Sequence, residues 1–118
     1  MVKAILLNDN FNLWALLHNT ADALMVVRAK EIDKFGLTTM EHRVLLQIPI
    51  MEDTTGEKVR ASELSRWLFR KRSGISELLT RMEKRGLVRR VPQLGNKKSS
   101  IIVLTEKGKK LREKCDQE

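Results

Sequence analysis

The sequence predicts a mainly α fold, a run of helices followed by one two-stranded β hairpin, and three observations lead there. No Gly or Pro interrupts Phe11 to Lys34. Apolar residues recur at three- and four-residue spacing in the segments that follow, as far as Met82. Only two apolar or β-branched runs, Leu87 to Val91 and Ile101 to Leu104, flank a Gly-containing turn. A chain of 118 residues, 42% of them hydrophobic, can bury a core without metal or disulfide staples, so a single small domain over 1–118 is expected and a multidomain enzyme is excluded.

The first helix carries apolar residues at Trp14, Leu17, Ala21, Leu24, Ile32 and Phe35. It would run roughly 35 Å, longer than so small a core needs. Leu13, Leu16, Met25, Val26 and Val27 widen its apolar surface beyond one stripe, the mark of a helix covered on more than one side. Segment 8–35 is therefore expected to dimerise through Leu13, Leu16, Leu17, Leu24 and Val27, with Gly36 as its left-handed cap. Thr38 to Glu41 reads as a capping box opening a second helix with Met40, Val44, Leu45 and Ile48 inward. Pro49 and the polar stretch Glu52 to Gly56 are expected to close it, leaving 52–57 as a loop and Lys58 to Arg60 as a very short strand.

A helix pair spans 62–85. Its first member opens at Ser62 with Leu64, Trp67 and Leu68 inward, and the chain breaks at Phe69 to Arg72. The second, Ser73 to Arg85, gathers Ile75, Leu78, Leu79 and Met82 on one face at about 100° per residue. Ser73, Glu77, Thr80, Arg81 and Lys84 fall opposite, and Gly86 stops it. Segment 87–104 is the hairpin, with a mobile basic tip from Pro92 to Ser100, and a short charged helix fills 105–118.

Charge divides the chain. Residues 1–57 hold 5 Lys/Arg and 8 Asp/Glu; residues 58–118 hold 18 and 7. A field of one sign on part of a small protein concentrates polyanions there, and nucleic acid is the commonest cytosolic polyanion. Helix, short strand, helix, turn, helix and hairpin is the winged helix-turn-helix order, in which the second helix of the pair enters a DNA major groove. Lys71 and Arg72 at the helix entry, with Ser73, Ser76, Thr80 and Arg81 on its exposed face, supply donors for phosphates and base edges. Lys97 and Lys98 at the hairpin tip would reach the flanking backbone or minor groove.

Residues 61–111, ASELSRWLFRKRSGISELLTRMEKRGLVRRVPQLGNKKSSIIVLTEKGKKL, resemble the DNA-binding region of MarR-type transcriptional regulators, above all in RMEKRGLV and LTEKGKKL. LTTMEHRVLLQI resembles that family's preceding helix, and the likeness extends over roughly residues 11 to 114. The resemblance implies a homodimer that binds palindromic operator DNA and is often released by a small-molecule effector or by oxidation. It also implies DNA contacts at Arg72, Ser73, Ser76, Glu77 and Arg81. Asn96, Lys97 and Lys98 stand where the family usually has Asp, a variable or basic residue, and Arg. Lysine lacks the planar fork of arginine, so phosphate contact is expected there ahead of minor-groove insertion. The last helix is short beside the family's, which throws the expected dimer contact onto the first.

Other chemistry finds no support. His18, His42 and Cys115 lack metal-ligand spacing, and there is no Ser/His/Asp motif, phosphate-cradling Gly loop or recognisable carboxylate pair, so no enzyme, metal or cofactor is expected. Cys115 is expected to be inert in a polar tail, a single cysteine fits a cytoplasmic address, and no segment is apolar and long enough for a signal peptide or a membrane span. Two other readings stay open beside a sequence-specific repressor. One is an architectural winged helix that binds DNA without sequence preference; the other is a protein-interaction winged helix, against which the basic half argues.

Overall fold

A computed structural model describes residues 9–93 and 96–116, and of residues 96–99 the backbone alone. Two compact units make up the chain, Met1–Thr39 and Met40–Glu118.

In the first unit, helix α1 (Asp9–Asp33) forms where the Gly- and Pro-free stretch predicts it. Leu13, Leu16, Leu17, Leu24 and Val27 are exposed along it, and Ile32 is its one buried residue. Its polar side chains pair locally, His18 with Asp22 at 3.2 Å and Arg28 with Glu31 at 2.9 Å. The Phe35 and Gly36 N–H groups donate to the Ile32 and Asp33 carbonyls, and Gly36 takes the left-handed φ of 71°.

The second unit contains α2 (Thr39–Thr55), β1 (Val59–Arg60), α3 (Ala61–Trp67), α4 (Arg72–Lys84), β2 (Val88–Gln93), β3 (Asn96–Leu104) and α5 (Glu106–Asp116). Its core is aliphatic: Val44, Leu45 and Ile48 of α2, Leu64 of α3, Ile75, Leu79 and Met82 of α4, and Val59 and Ile102 of the sheet are all buried. The strands form one antiparallel sheet in the order β1-β3-β2, so the hairpin expected as two-stranded gains β1 as a third strand.

Four expectations are corrected. Helix α2 passes through Pro49 to Thr55, so 52–55 is helix and not loop. Proline removes one backbone donor, but Met51 extends the buried series Val44, Ile48, Met51 by another turn, and that burial holds the helix on. Trp67 is 57% exposed. The buried arc of α3 is centred among Leu64, Ser65 and Leu68, and at about 100° per residue Trp67 falls roughly 110° from its centre.

Cys115 is 1% exposed inside α5, not in a frayed tail, because it lies on the same helical face as Leu111 and the buried Gly108. The hairpin tip is shorter than expected: Gln93 already pairs with Asn96, after a register shift between Val91 and Gln93. Leu94 and Gly95 lie outside the described residues.

Candidate nucleic-acid interface

Helix α4 presents the candidate surface. Ile75, Leu78, Leu79 and Met82 are buried, which fixes the rotation of the helix and turns Arg72, Ser73, Ser76, Glu77, Thr80 and Arg81 outward. All six are exposed, as is Lys71 at the N-cap, whose backbone is extended at φ −65° and ψ 146°. No side chain caps this end, so the first-turn N–H groups and the helix dipole point to where an anion would lie. Of the candidate residues, the structure gathers these seven on one face of the second unit. For Asn96, Lys97 and Lys98 it shows backbone in β3; their side chains lie outside the described residues.

Thr80 has a more constrained role than its sequence position suggests. Its hydroxyl donates to the Ser76 carbonyl at 2.9 Å and accepts from Arg90 Nη2 at 2.9 Å. With its one hydrogen committed inside the helix, it can offer a ligand only acceptor capacity. Arg90 Nη2 also donates to the Ser76 carbonyl at 2.5 Å, and the Arg90 backbone N–H donates to Glu83 Oε2 at 3.2 Å. Strand β2 is thereby fastened to the middle and the end of α4. Sequence reasoning missed Arg90 by counting it only toward net charge. The available signal was parity: Arg90 alternates with Val88 and pairs with Ile102 in register, so it shares their inner face.

The end of α4 is held from two further sides. Arg85 Nη1 donates to Glu41 Oε2 at 2.6 Å, and Glu41 is buried. The Gly86 and Leu87 N–H groups close the helix on the Glu83 and Met82 carbonyls. Thr105 then ties the start of α5 to this cap. Its hydroxyl donates to the Gly86 carbonyl and accepts from the Gly108 N–H at 3.1 Å, its own N–H donates to the Leu87 carbonyl at 3.1 Å, and Lys107 Nζ donates to the Arg85 carbonyl at 2.9 Å. The segment LTEKG is thus a joint between the hairpin, the last helix and the end of α4.

Among the described residues no group of three or more His, Cys, Asp or Glu could hold a metal ion, and no helix is long and apolar enough to cross a membrane.

A sequence profile of the MarR family matches residues 35–99. No curated protein sequence matches the chain. Among solved structures, the chain is similar to a mutant MarR from E. coli complexed with operator DNA, with 22% identity, a TM-score of 0.75, and coverage of 95% of this chain and 76% of that one. It is similar to AbsC, a MarR family transcriptional regulator from Streptomyces coelicolor, with 26% identity, a TM-score of 0.76, and coverage of 93% and 73%. It is also similar to a MepR–DNA complex from S. aureus, with 19% identity, a TM-score of 0.70, and coverage of 84% and 70%.

Proposed function

The profile match takes in more than half of the chain, so the chain belongs to the MarR family, and from that premise we infer that it is a double-stranded DNA-binding transcriptional regulator that acts as a homodimeric repressor. The observation that carries this reading is α4. Its apolar face is buried and its exposed face is cationic and hydroxylated, the arrangement a helix needs to lie in a major groove. In this reading Arg81, on the exposed face, grips a base edge. Arg72, Ser73 and Ser76 work at the uncapped amino end, where helix dipole and N–H groups favour a phosphate. Glu77 would accept from a cytosine amino group, and Lys71 and the hairpin residues Asn96, Lys97 and Lys98 would meet the flanking backbone.

Two of the similar structures, the E. coli MarR mutant and S. aureus MepR, are complexes with DNA, which supports the DNA partner. The exposed Leu13, Leu16, Leu17, Leu24 and Val27 support the dimer. Two half-sites one helical turn apart need two recognition helices, and one chain supplies one. The proposal includes a cytoplasmic address and no catalytic step.

The test is binding to the DNA upstream of the protein's own coding region, with salt titration and scrambled competitor. Affinity should fall with salt at about −0.9 in log–log slope for each phosphate contacted. Arg81→Ala should cost about 1–3 kcal/mol on the operator and flatten base preference, whereas Lys98→Ala should weaken all sequences alike. Equal losses on operator and random DNA for both variants would select the architectural reading instead.

A further inference from the structure

Helix α3 ends in a way the other helices do not. The Arg70 N–H donates to the Ser65 carbonyl at 3.0 Å and the Phe69 N–H to the Arg66 carbonyl at 3.2 Å, the paired bonds of a Schellman turn. That turn needs a left-handed residue at its corner. At the ends of α1, α2 and α4 the left-handed residue is glycine, with φ of 71°, 72° and 75°. After α3 it is Phe69, at φ 54°, the one non-glycine with positive φ among the described residues. A bulky side chain there is strained by its Cβ against the carbonyl, and the ring is 90% exposed, so packing within the chain returns nothing for the strain. An outlier of this kind, held at an exposed corner, points to a task outside the fold.

What surrounds Phe69 identifies the chemistry of that task. The residues that flank it in sequence, Ser62, Ser65, Arg66, Arg70, Lys71 and Arg72, line a hollow of about 450 Å³. Every charged residue in this lining is a cation, whereas a larger cavity bordered by β2, β3 and α5 mixes Lys58, Arg89, Lys109 and Arg112 with Glu52, Glu106 and Glu113. Lys71 and Arg72, the N-cap and first residue of α4, belong to its lining, so the hollow adjoins the candidate DNA surface. A hydroxyl-bearing recess whose charged residues are all cations, built from the residues on either side of an exposed Phe69, matches a phosphodiester backbone, which offers an anion and an apolar sugar face in alternation.

We propose that Phe69 and this hollow form a second, sequence-independent contact with duplex DNA. The ring lies on a deoxyribose while Arg66, Arg70 and the Ser62 hydroxyl hold the neighbouring phosphate. The proposal rests on the DNA-binding reading and adds to its flanking-backbone contacts a sugar contact by Phe69 and phosphate contacts by Ser62, Arg66 and Arg70.

The test uses the full chain and two variants at one position. Phe69→Gly removes both the ring and the strain, so it should melt at a higher temperature than wild type and still bind DNA about three- to tenfold more weakly. Phe69→Ala keeps the strained backbone and loses the ring, so it should show the same loss of affinity without the gain in melting temperature. The losses should be equal on operator and random duplex, with the salt slope unchanged. Arg70→Ala should instead reduce the magnitude of that slope by about one phosphate's share. Phe69→Gly that melts higher and binds as wild type would overturn the proposal, as would a loss confined to the operator. A wild-type protein that binds no duplex at all would fail the DNA-binding reading itself, a result distinct from either.

Discussion

Gly108→Ala should destabilise the protein although alanine is the better helix former, and Gly74→Ala should not. Both glycines occupy the third position of their helices, two residues into α5 and α4. The intrinsic gain of alanine over glycine, below about 1 kcal/mol in a first turn, is therefore nearly the same for both and cancels in the comparison. What differs is space. A Cβ on Gly74 meets nothing within 4 Å. On Gly108 it would press into the Leu87 carbonyl oxygen and lie 3.2 Å from the Leu87 carbonyl carbon.

That obstacle is backbone, and it cannot swing aside. The Leu87 carbonyl accepts the Thr105 N–H, and its neighbour Gly86 accepts the Thr105 hydroxyl. Relief requires α5 to back away from the end of α4, lengthening these bonds together. Overpacking of this kind costs about 1–3 kcal/mol, and weakening one of the joint's hydrogen bonds adds about 1 kcal/mol. Net of the helix gain, Gly108→Ala should lose about 2 kcal/mol, or roughly 8 °C in melting temperature for a chain of this size, while Gly74→Ala holds or rises slightly. The assay is thermal and urea denaturation of both variants at one protein concentration, since dimerisation would make the midpoint concentration-dependent. Two variants of equal stability would refute the claim that close backbone approach dictates glycine at 108.

Two further predictions concern the surfaces assigned to DNA and to the partner. Arg90→Lys keeps the charge but cannot reproduce the two bonds from Nη2 to α4, so operator affinity should fall about two- to tenfold with an unchanged salt slope; fluorescence anisotropy that finds wild-type binding would remove Arg90 as a positioning residue. Leu17 and Leu24 are 62% and 65% exposed on α1, so the double variant Leu17→Glu, Leu24→Glu should sediment as a monomer of about 13.6 kDa where the wild type sediments as a dimer; a variant dimer as tight as wild type would put the interface elsewhere.

The sequence alone determined whatever depends on local periodicity or on a residue's own conformational limits. The span of α1, the inward set Ile75, Leu78, Leu79 and Met82, and the left-handed stops at Gly36 and Gly86 were legible because apolar spacing and glycine's missing Cβ act within a few residues of chain. The exposed face of α4 followed from the same arithmetic. Tertiary structure decided the rest, in each case by setting a long-range gain against a local preference. Burial of Met51 carried α2 through Pro49, and pairing with β3 made the very short strand legible at Lys58 to Arg60 the third strand of the sheet. Arg90 became a clasp on α4, not a free surface charge, because the register of β2 turned it inward. The LTEKG segment was recognisable as a pattern, but the reason for its glycine lies 21 residues earlier in the chain, where the Leu87 backbone fills the space a Cβ would need. Only folding brings those two stretches together.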